Sequence, residues 1–307
     1  MFARTGTTWT QEAYIKPSTT VERAAFGSSV TLDADAGRLA VGAPGNSTAC
    51  VFARTGTAWT QETCFSGSSY SASDSSFGTS VSLSGDGSDL AIGAPQQFSS
   101  NGFGAAYLFA RTDTAWAQEA FIKPSSVGFN DYFGVSVSLA ADGGRLAIGA
   151  HGEDSNATGI DGDTTNTDAP WAGAAYVFDR TSTGWAQKAY LKASNTEPYD
   201  QFGYGVSLAG DGTRLAVGAY AESSGATPVN GDGANNDARR AGAAYIYALT
   251  DATWAQEAYI KPSNAAQDAV FGFSVALAAN GRDLAVGAPQ QSSGERLGDA
   301  YAFHLGN

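Results

Sequence analysis

The amino-acid sequence predicts an all-β fold, a five-bladed β-propeller of four-stranded antiparallel blades, and three observations predict it. One phrase recurs five times, anchored at Phe26-Gly27, Phe77-Gly78, Phe133-Gly134, Phe202-Gly203 and Phe271-Gly272. Within each copy, apolar residues alternate with small or polar ones, the period of two that marks half-buried strands. The composition agrees, because 38 glycines, one methionine and 15% charged residues suit short strands joined by tight turns better than helices with ion-paired faces.

Each element of the copy follows from its residues. In "FGVSVSLAADGGRLAIGAH", Val135, Val137 and Leu139 form an alternating inner strand, and an Asp-Gly turn leads into a second apolar strand. After a loop of variable length, "GAAYLFAR" and "WAQEAFIKPS" flank the short turn "TDTA", a second hairpin ended by Pro124. Four-stranded units repeating at this length are propeller blades, packed face to face around an axis. The expected blades span 26–66, 77–124, 133–194, 202–263 and 271–307, the last joined by 1–18, in a single domain covering 1–307.

The chain ends carry a further expectation. Third strands begin at Cys50, Tyr107, Tyr176, Tyr245 and Tyr301, and fourth strands at Trp9, Trp59, Trp116, Trp185 and Trp254. The last copy has no fourth strand after it, while the N-terminal "WTQEAYIKPS" is a fourth strand without a blade. The ring is therefore expected to close by pairing of the N-terminal strand with the C-terminal blade, which would remove an open edge. Residues 1–5 duplicate the register of Ala302 to Gly306, so one of those segments must pair elsewhere. The five repeated tryptophans read as packing residues of the core.

"FGxSVxL", "LAVGAP" at Leu39 to Pro44 and Leu284 to Pro289, and "GAAYVF" resemble the FG-GAP repeat of integrin α-chain propellers. The bacterial branch is more similar still, its "W-x-Q-x-x-L" fourth strand matched by "WAQKAYL". The resemblance implies a non-enzymatic, extracellular recognition or adhesion module, secreted or at the cell surface. It departs in two ways. Integrin propellers have seven blades, and their DxDxDG calcium loops are missing here, the nearest match being "DADAG" with Asp33 and Asp35. A hard cation wants six to eight oxygens, so no calcium is assigned to these hairpins.

Loops after second and fourth strands share one face, and length variation concentrates there. The loops following Ala150 and Ala219 are long and alike, with Asp161, Asp163, Asn166 and Asp168 corresponding to Asn230, Asp232, Asn235 and Asp237. Two readings stand for these oxygens: a calcium ion, with Glu153 and Asp154 as further ligands of the first loop, or side-chain caps on the turns. Trp171, outside the repeat, is a candidate for stacking on a sugar or anchoring a protein, with Glu153 and Asp154 nearby in sequence; local packing is the other reading.

Cys50 and Cys64 replace the aromatic pairs Tyr107 with Phe121, Tyr176 with Tyr190 and Tyr245 with Tyr259. Directly opposed in a hairpin, they are expected to form a disulfide, which implies an oxidising compartment; two buried thiols are the other reading. Asp74, Asp131, Asp200 and Asp268 precede the Phe-Gly pairs and read as turn caps. His151 and His304 are the only imidazoles, and no nucleophile elbow, HExxH pair or phosphate loop is present.

The net charge of -13 disfavours a nucleic-acid partner, and none is expected, because a phosphate backbone needs clustered Lys and Arg. No run of about eighteen apolar residues exists, so membrane insertion is not expected. The expectation is a monomer that recognises a protein or glycan through its loop-rich face, with no catalytic residue. Two alternatives are a lectin with sugar sites between blades and a glycosidase-like hydrolase, which would need two carboxylates roughly 5–9.5 Å apart in one cleft.

Overall fold

The computed structural model describes residues 1–67, 76–96, 103–124, 126, 128–227, 229–289 and 298–306. The first blade comprises β3 (Ser29–Leu32), β4 (Arg38–Ala43), β5 (Thr48–Thr55) and β6 (Ala58–Ser66), after an N-terminal hairpin of β1 (Phe2–Thr5) and β2 (Thr8–Gln11). The second holds β7 (Ser80–Leu83), β8 (Asp89–Ala94), β9 (Ala105–Thr112) and β10 (Ala115–Ile122), and the third β11 (Ser136–Leu139), β12 (Arg145–Ala150), β13 (Ala174–Thr181) and β14 (Gly184–Leu191). The fourth holds β15 (Phe202–Leu208), β16 (Arg214–Ala219), β17 (Ala243–Thr250) and β18 (Thr253–Ile260), and the fifth β19 (Ser274–Leu277), β20 (Asp283–Ala288) and β21 (Asp299–His304). Every sheet is an antiparallel meander, and the inner strands pack in chain order, β3 on β7, β7 on β11, β11 on β15 and β15 on β19. The predicted all-β propeller of five blades is the observed architecture. No helix among the described residues is long and apolar enough to cross a membrane.

The seam between blades explains the repeat's residues. Each blade offers a face of small side chains to the bulky face of the next: Ala147, Ala175 and Ala189 of the third blade receive Leu215, Val217 and Tyr245 of the fourth. Along the axis the serine hydroxyls of one inner strand accept from backbone N–H groups of the next, Ser136 from Val206 at 3.0 Å and Ser138 from Leu208 at 2.9 Å. The two motif glycines meet here. A Cβ on Gly42, Gly93, Gly149 or Gly218 would lie 1.8–2.0 Å from the carbonyl oxygen of Gly78, Gly134, Gly203 or Gly272 in the following blade. Those following-blade glycines also take left-handed φ values of 86° to 91°. The first position is glycine for space, the second for conformation as well.

The expected closure is not what the chain adopts. β2 pairs with β1, Phe2 opposite Gln11 and Arg4 opposite Trp9, and β21 pairs with β20 alone. The hairpin sits on the first blade as the outer half of a preceding blade: Met1 and Ile15 pack on Leu39, Val41, Cys50 and Phe52, and Arg54 clasps Glu12 at 2.7 Å. Arg111 with Glu62 and Arg180 with Glu119 repeat that clasp between later blades. The physical reason is local: a two-residue turn at Thr5 to Thr8 closes β1 onto β2 at small loop entropy, while the same strand's route to β21 spans the whole chain.

The tryptophans also divide. Trp254 is buried, with Arg145 over its ring at 5.7 Å, whereas Trp59, Trp116 and Trp185 are half-buried beside arginine or glutamate groups and Trp9 is exposed.

Candidate recognition surface on the loop face

Two buried ion pairs hold the long loops to the blades. Lys192 Nζ donates to Glu153 Oε2 at 2.7 Å, and Lys261 Nζ donates to Glu222 Oε2 at 2.6 Å. Each lysine follows the fourth strand of its blade and each glutamate follows the second, so the pair ties a loop root to the sheet. Tyr259 donates to Glu222 Oε1 at 2.8 Å, and the hydroxyl of Ser224 lies 2.6 Å from the Tyr259 oxygen; Ser155 and Tyr190 repeat that contact at 2.7 Å. Burial pulls both lysines below the ordinary ammonium range, against the pull of their glutamates. Asn195 joins neighbouring blades by donating to Glu222 and accepting from Tyr245.

The matched acidic loops take the turn-capping geometry. Asp161 Oδ1 accepts from Tyr190 N at 2.9 Å and Asn230 Oδ1 from Tyr259 N at 2.8 Å, docking each loop tip on its fourth strand. Asp163 and Asp232 cap turns at Thr165 N and Ala234 N, and the amide oxygens of Asn166 and Asn235 accept from Asn156 N and Gly225 N. Asp168 accepts from Asn156 Nδ2, and the Asp237 N–H donates to Asn235. The hydroxyl and N–H of Thr165 hold the Asp163 carboxyl below its usual range. Among the described residues no group of three or more His, Cys, Asp or Glu side chains converges to hold a metal.

Asp131 and Asp200 cap turns as expected, accepting from Gly128 N at 2.7 Å and Glu197 N at 3.0 Å, and Asp268 receives Arg239. Asp74 lies outside the described residues. Both caps are buried, and that burial pushes Asp131 up to about 7 and Asp200 up to about 8. Asp131 lines a cleft of about 670 Å³ with Phe129, Glu153, Asp154 and Asn166. Within it Glu153 is committed to Lys192, and Asp154 accepts from Trp171 N at 2.8 Å.

Next to this cleft the structure assembles an aromatic cluster. Tyr132 stacks on His151 at 5.0 Å, and Trp171 closes on both at 5.6 Å. His151 meets Tyr204 at 5.3 Å, Tyr204 meets Tyr220 at 4.7 Å and Phe273 at 4.8 Å, and Arg240 lies over Tyr220. All six rings are half-buried; five flank the starts of inner strands or the ends of second strands in blades three to five, and Trp171 lies in the loop before β13. Burial pushes His151 down to about 4, so it is neutral near pH 7, and its Nδ1 has no hydrogen-bond partner. Trp171 thus both packs locally and belongs to a larger surface. Tyr132, Tyr204, Tyr220 and Phe273 escape a sequence reading because they lie far apart in the chain. Their signal is aromatic residues at copy positions where other blades carry small ones, as Ala25 and Ser76 stand where Tyr132 does.

Cys50 and Cys64 oppose each other in the β5–β6 register and form a disulfide. The stacked pairs Tyr176 with Tyr190 and Tyr245 with Tyr259 hold that position in other blades.

Fold and seam together define a propeller whose blades interlock through a Phe-Gly pair on one side and the Gly-Ala end of a second strand on the other. The chain belongs to the FG-GAP repeat family, whose profile matches residues 59–109, 116–178, 185–247 and 254–303. Membership suggests a recognition- or adhesion-type module, and the family is generally non-catalytic. No curated protein matches the chain in sequence. Among solved structures it is similar to a functionally unknown protein from Desulfotomaculum acetoxidans DSM 771, with a TM-score of 0.50 at 10% identity, over 84% of this chain and 61% of that one. The likeness is one of fold, and the chain spans less than two thirds of that protein.

Proposed function

We propose that this chain is a non-enzymatic recognition module that binds a glycan through its loop face, with the Tyr132, His151, Trp171, Tyr204, Tyr220 and Phe273 cluster as the contact surface. The observation that carries the reading is the half-exposure of those six rings beside a cleft rimmed by Thr165 and Asn166. Aromatic faces supply large contact area at small entropic cost, and short polar side chains supply hydroxyl partners. The buried lysine–glutamate pairs hold the loop roots, so the surface is preorganised. A hydrolase would need a second free carboxylate beside Asp131, and Glu153 and Asp154 are both committed elsewhere. The disulfide supports residence in an oxidising compartment, at the cell surface or beyond it.

The test is a glycan array followed by titration of each hit against wild type and Trp171→Ala. Loss of at least about tenfold in affinity, with unchanged melting, is expected of a central tryptophan anchor. Wild-type affinity in the variant, or silence across the array with capture of a protein instead, removes the glycan reading.

A further inference from the structure

We propose that the cleft between the second and third blades takes the acetamido group of an N-acetylated amino sugar, an inference that rests on the glycan reading above and names the sugar class. The next seam along shows what the equivalent place holds. Between the third and fourth blades it is filled by the Asn195 side chain, whose Oδ1 accepts from Tyr245 at 2.7 Å. Its Nδ2 donates to Glu222 Oε1 at 3.1 Å and to the Gly233 carbonyl at 2.9 Å. In the fifth blade Asn264 likewise accepts from Tyr301 at 2.9 Å. One carboxamide thus joins a third-strand tyrosine to the glutamate at the root of a loop.

The third blade carries no such carboxamide. Ser126, four residues after Ile122 and five before Asp131, stands where Asn195 follows Leu191 and precedes Asp200. Tyr176 is fully buried, and neither its hydroxyl nor that of Ser126 has a hydrogen-bond partner. Burial, then the nearby carboxylate of Glu153, pushes ionisation of Tyr176 up, so the hydroxyl stays a donor. Lys192 and Ser155 both reach Glu153 at Oε2, and among the described residues no side-chain amide reaches Oε1 as Asn195 reaches that of Glu222. Ser126, Asp131, Glu153 and Thr164, the counterpart of Gly233, instead line the cleft of about 670 Å³. An acceptor is wanted at Tyr176 and a donor at Glu153, one carboxamide apart, and an acetamido group supplies both through its carbonyl and its N–H. The sugar ring that carries it then lies against Phe129, 64% exposed on the cleft wall, and Trp171, whose N–H is held by Asp154 of the same cleft. A sugar with a hydroxyl in that position leaves one buried group unpaired, which is how a polar site rejects an analogue.

Isothermal titration with two matched pairs of probes tests the proposal: triacetylchitotriose against cellotriose, and methyl N-acetyl-α-galactosaminide against methyl α-galactoside. In at least one pair the acetamido member is expected to bind about tenfold tighter or more. Ser126→Asn, which places the chain's own carboxamide in the cleft, and Tyr176→Phe, which removes the donor and keeps the ring, should each abolish that preference. Both should melt no lower than wild type, because neither removes a hydrogen bond that the protein makes. Acetamido and hydroxyl members that bind alike, both weakened by Trp171→Ala, overturn this inference and leave the glycan surface standing. Silence toward both pairs overturns it whatever else a glycan array captures, and so does a preference that survives in both variants. Binding of N-acetylasparagine methylamide as tight as that of either amino sugar gives the cleft to a peptide and overturns it as well.

Discussion

Gly149 lies so close to the carbonyl of Gly203 in the next blade that a Cβ would sit 1.8 Å from the oxygen. The oxygen is a backbone atom and the Cβ position is fixed by the backbone, so neither can swing aside. Gly149→Ala is therefore expected to cost at or above the ~1–3 kcal/mol typical of overpacking, while Gly287→Ala, facing only the Ser274 hydroxyl, costs far less. Parallel denaturant unfolding of the two variants checks the contrast; equal losses would refute the interlock.

The disulfide closes a hairpin of 14-residue separation, and cross-linking a loop of that size stabilises by about 3 kcal/mol in the chain-entropy account. Cys50→Ala with Cys64→Ala should lower the unfolding free energy by about that amount. Reducing agent should act on wild type and leave the double variant unchanged.

Lys261→Met strands Glu222 without its buried partner, at an expected loss of ~3–5 kcal/mol. Adding Glu222→Leu should restore most of it, because the desolvated charge is gone. A double variant no better than the single would show that the hydrogen bonds of Glu222 to Tyr259 and Asn195 dominate instead.

Asp131 and Asp200 set a pH dependence whose sign follows from burial. Unfolded, each titrates near 4; folded, at about 7 and about 8. Between those limits the folded state holds more protons, so stability falls as pH rises through that window. Melting temperature should drop from pH 5 to pH 8, and Asp200→Asn should flatten the slope and raise the melting temperature at pH 8. A variant with the wild-type slope would remove Asp200 from the account.

Because the side-chain oxygens of Asp161, Asp163, Asn166, Asn230, Asp232 and Asn235 accept from backbone N–H groups, calcium is expected to leave the melting temperature where it is, in the presence or absence of chelator. A calcium-dependent rise would show that Asp161, Asp163, Asn166 and Asp168, or their counterparts in the fourth blade, release those turns for an ion.

Much of this molecule was legible in one dimension. The period-two alternation, the Asp-Gly turns and the five Phe-Gly anchors specify strands, hairpins and blades because each depends on neighbours within a few residues, and the Cys50–Cys64 pairing follows from hairpin register. What tertiary structure decided is everything that joins distant parts. It placed β2 on β1 rather than on β21, since a near partner costs less chain entropy than a far one. It turned Glu153, read as a loop acid, into the buried partner of Lys192, and built the matching pair of Glu222 with Lys261. It gathered Tyr132, Tyr204 and Phe273, one from each of three blades, into a surface with Trp171, because blade stacking brings equivalent strand ends side by side whatever their separation in the chain.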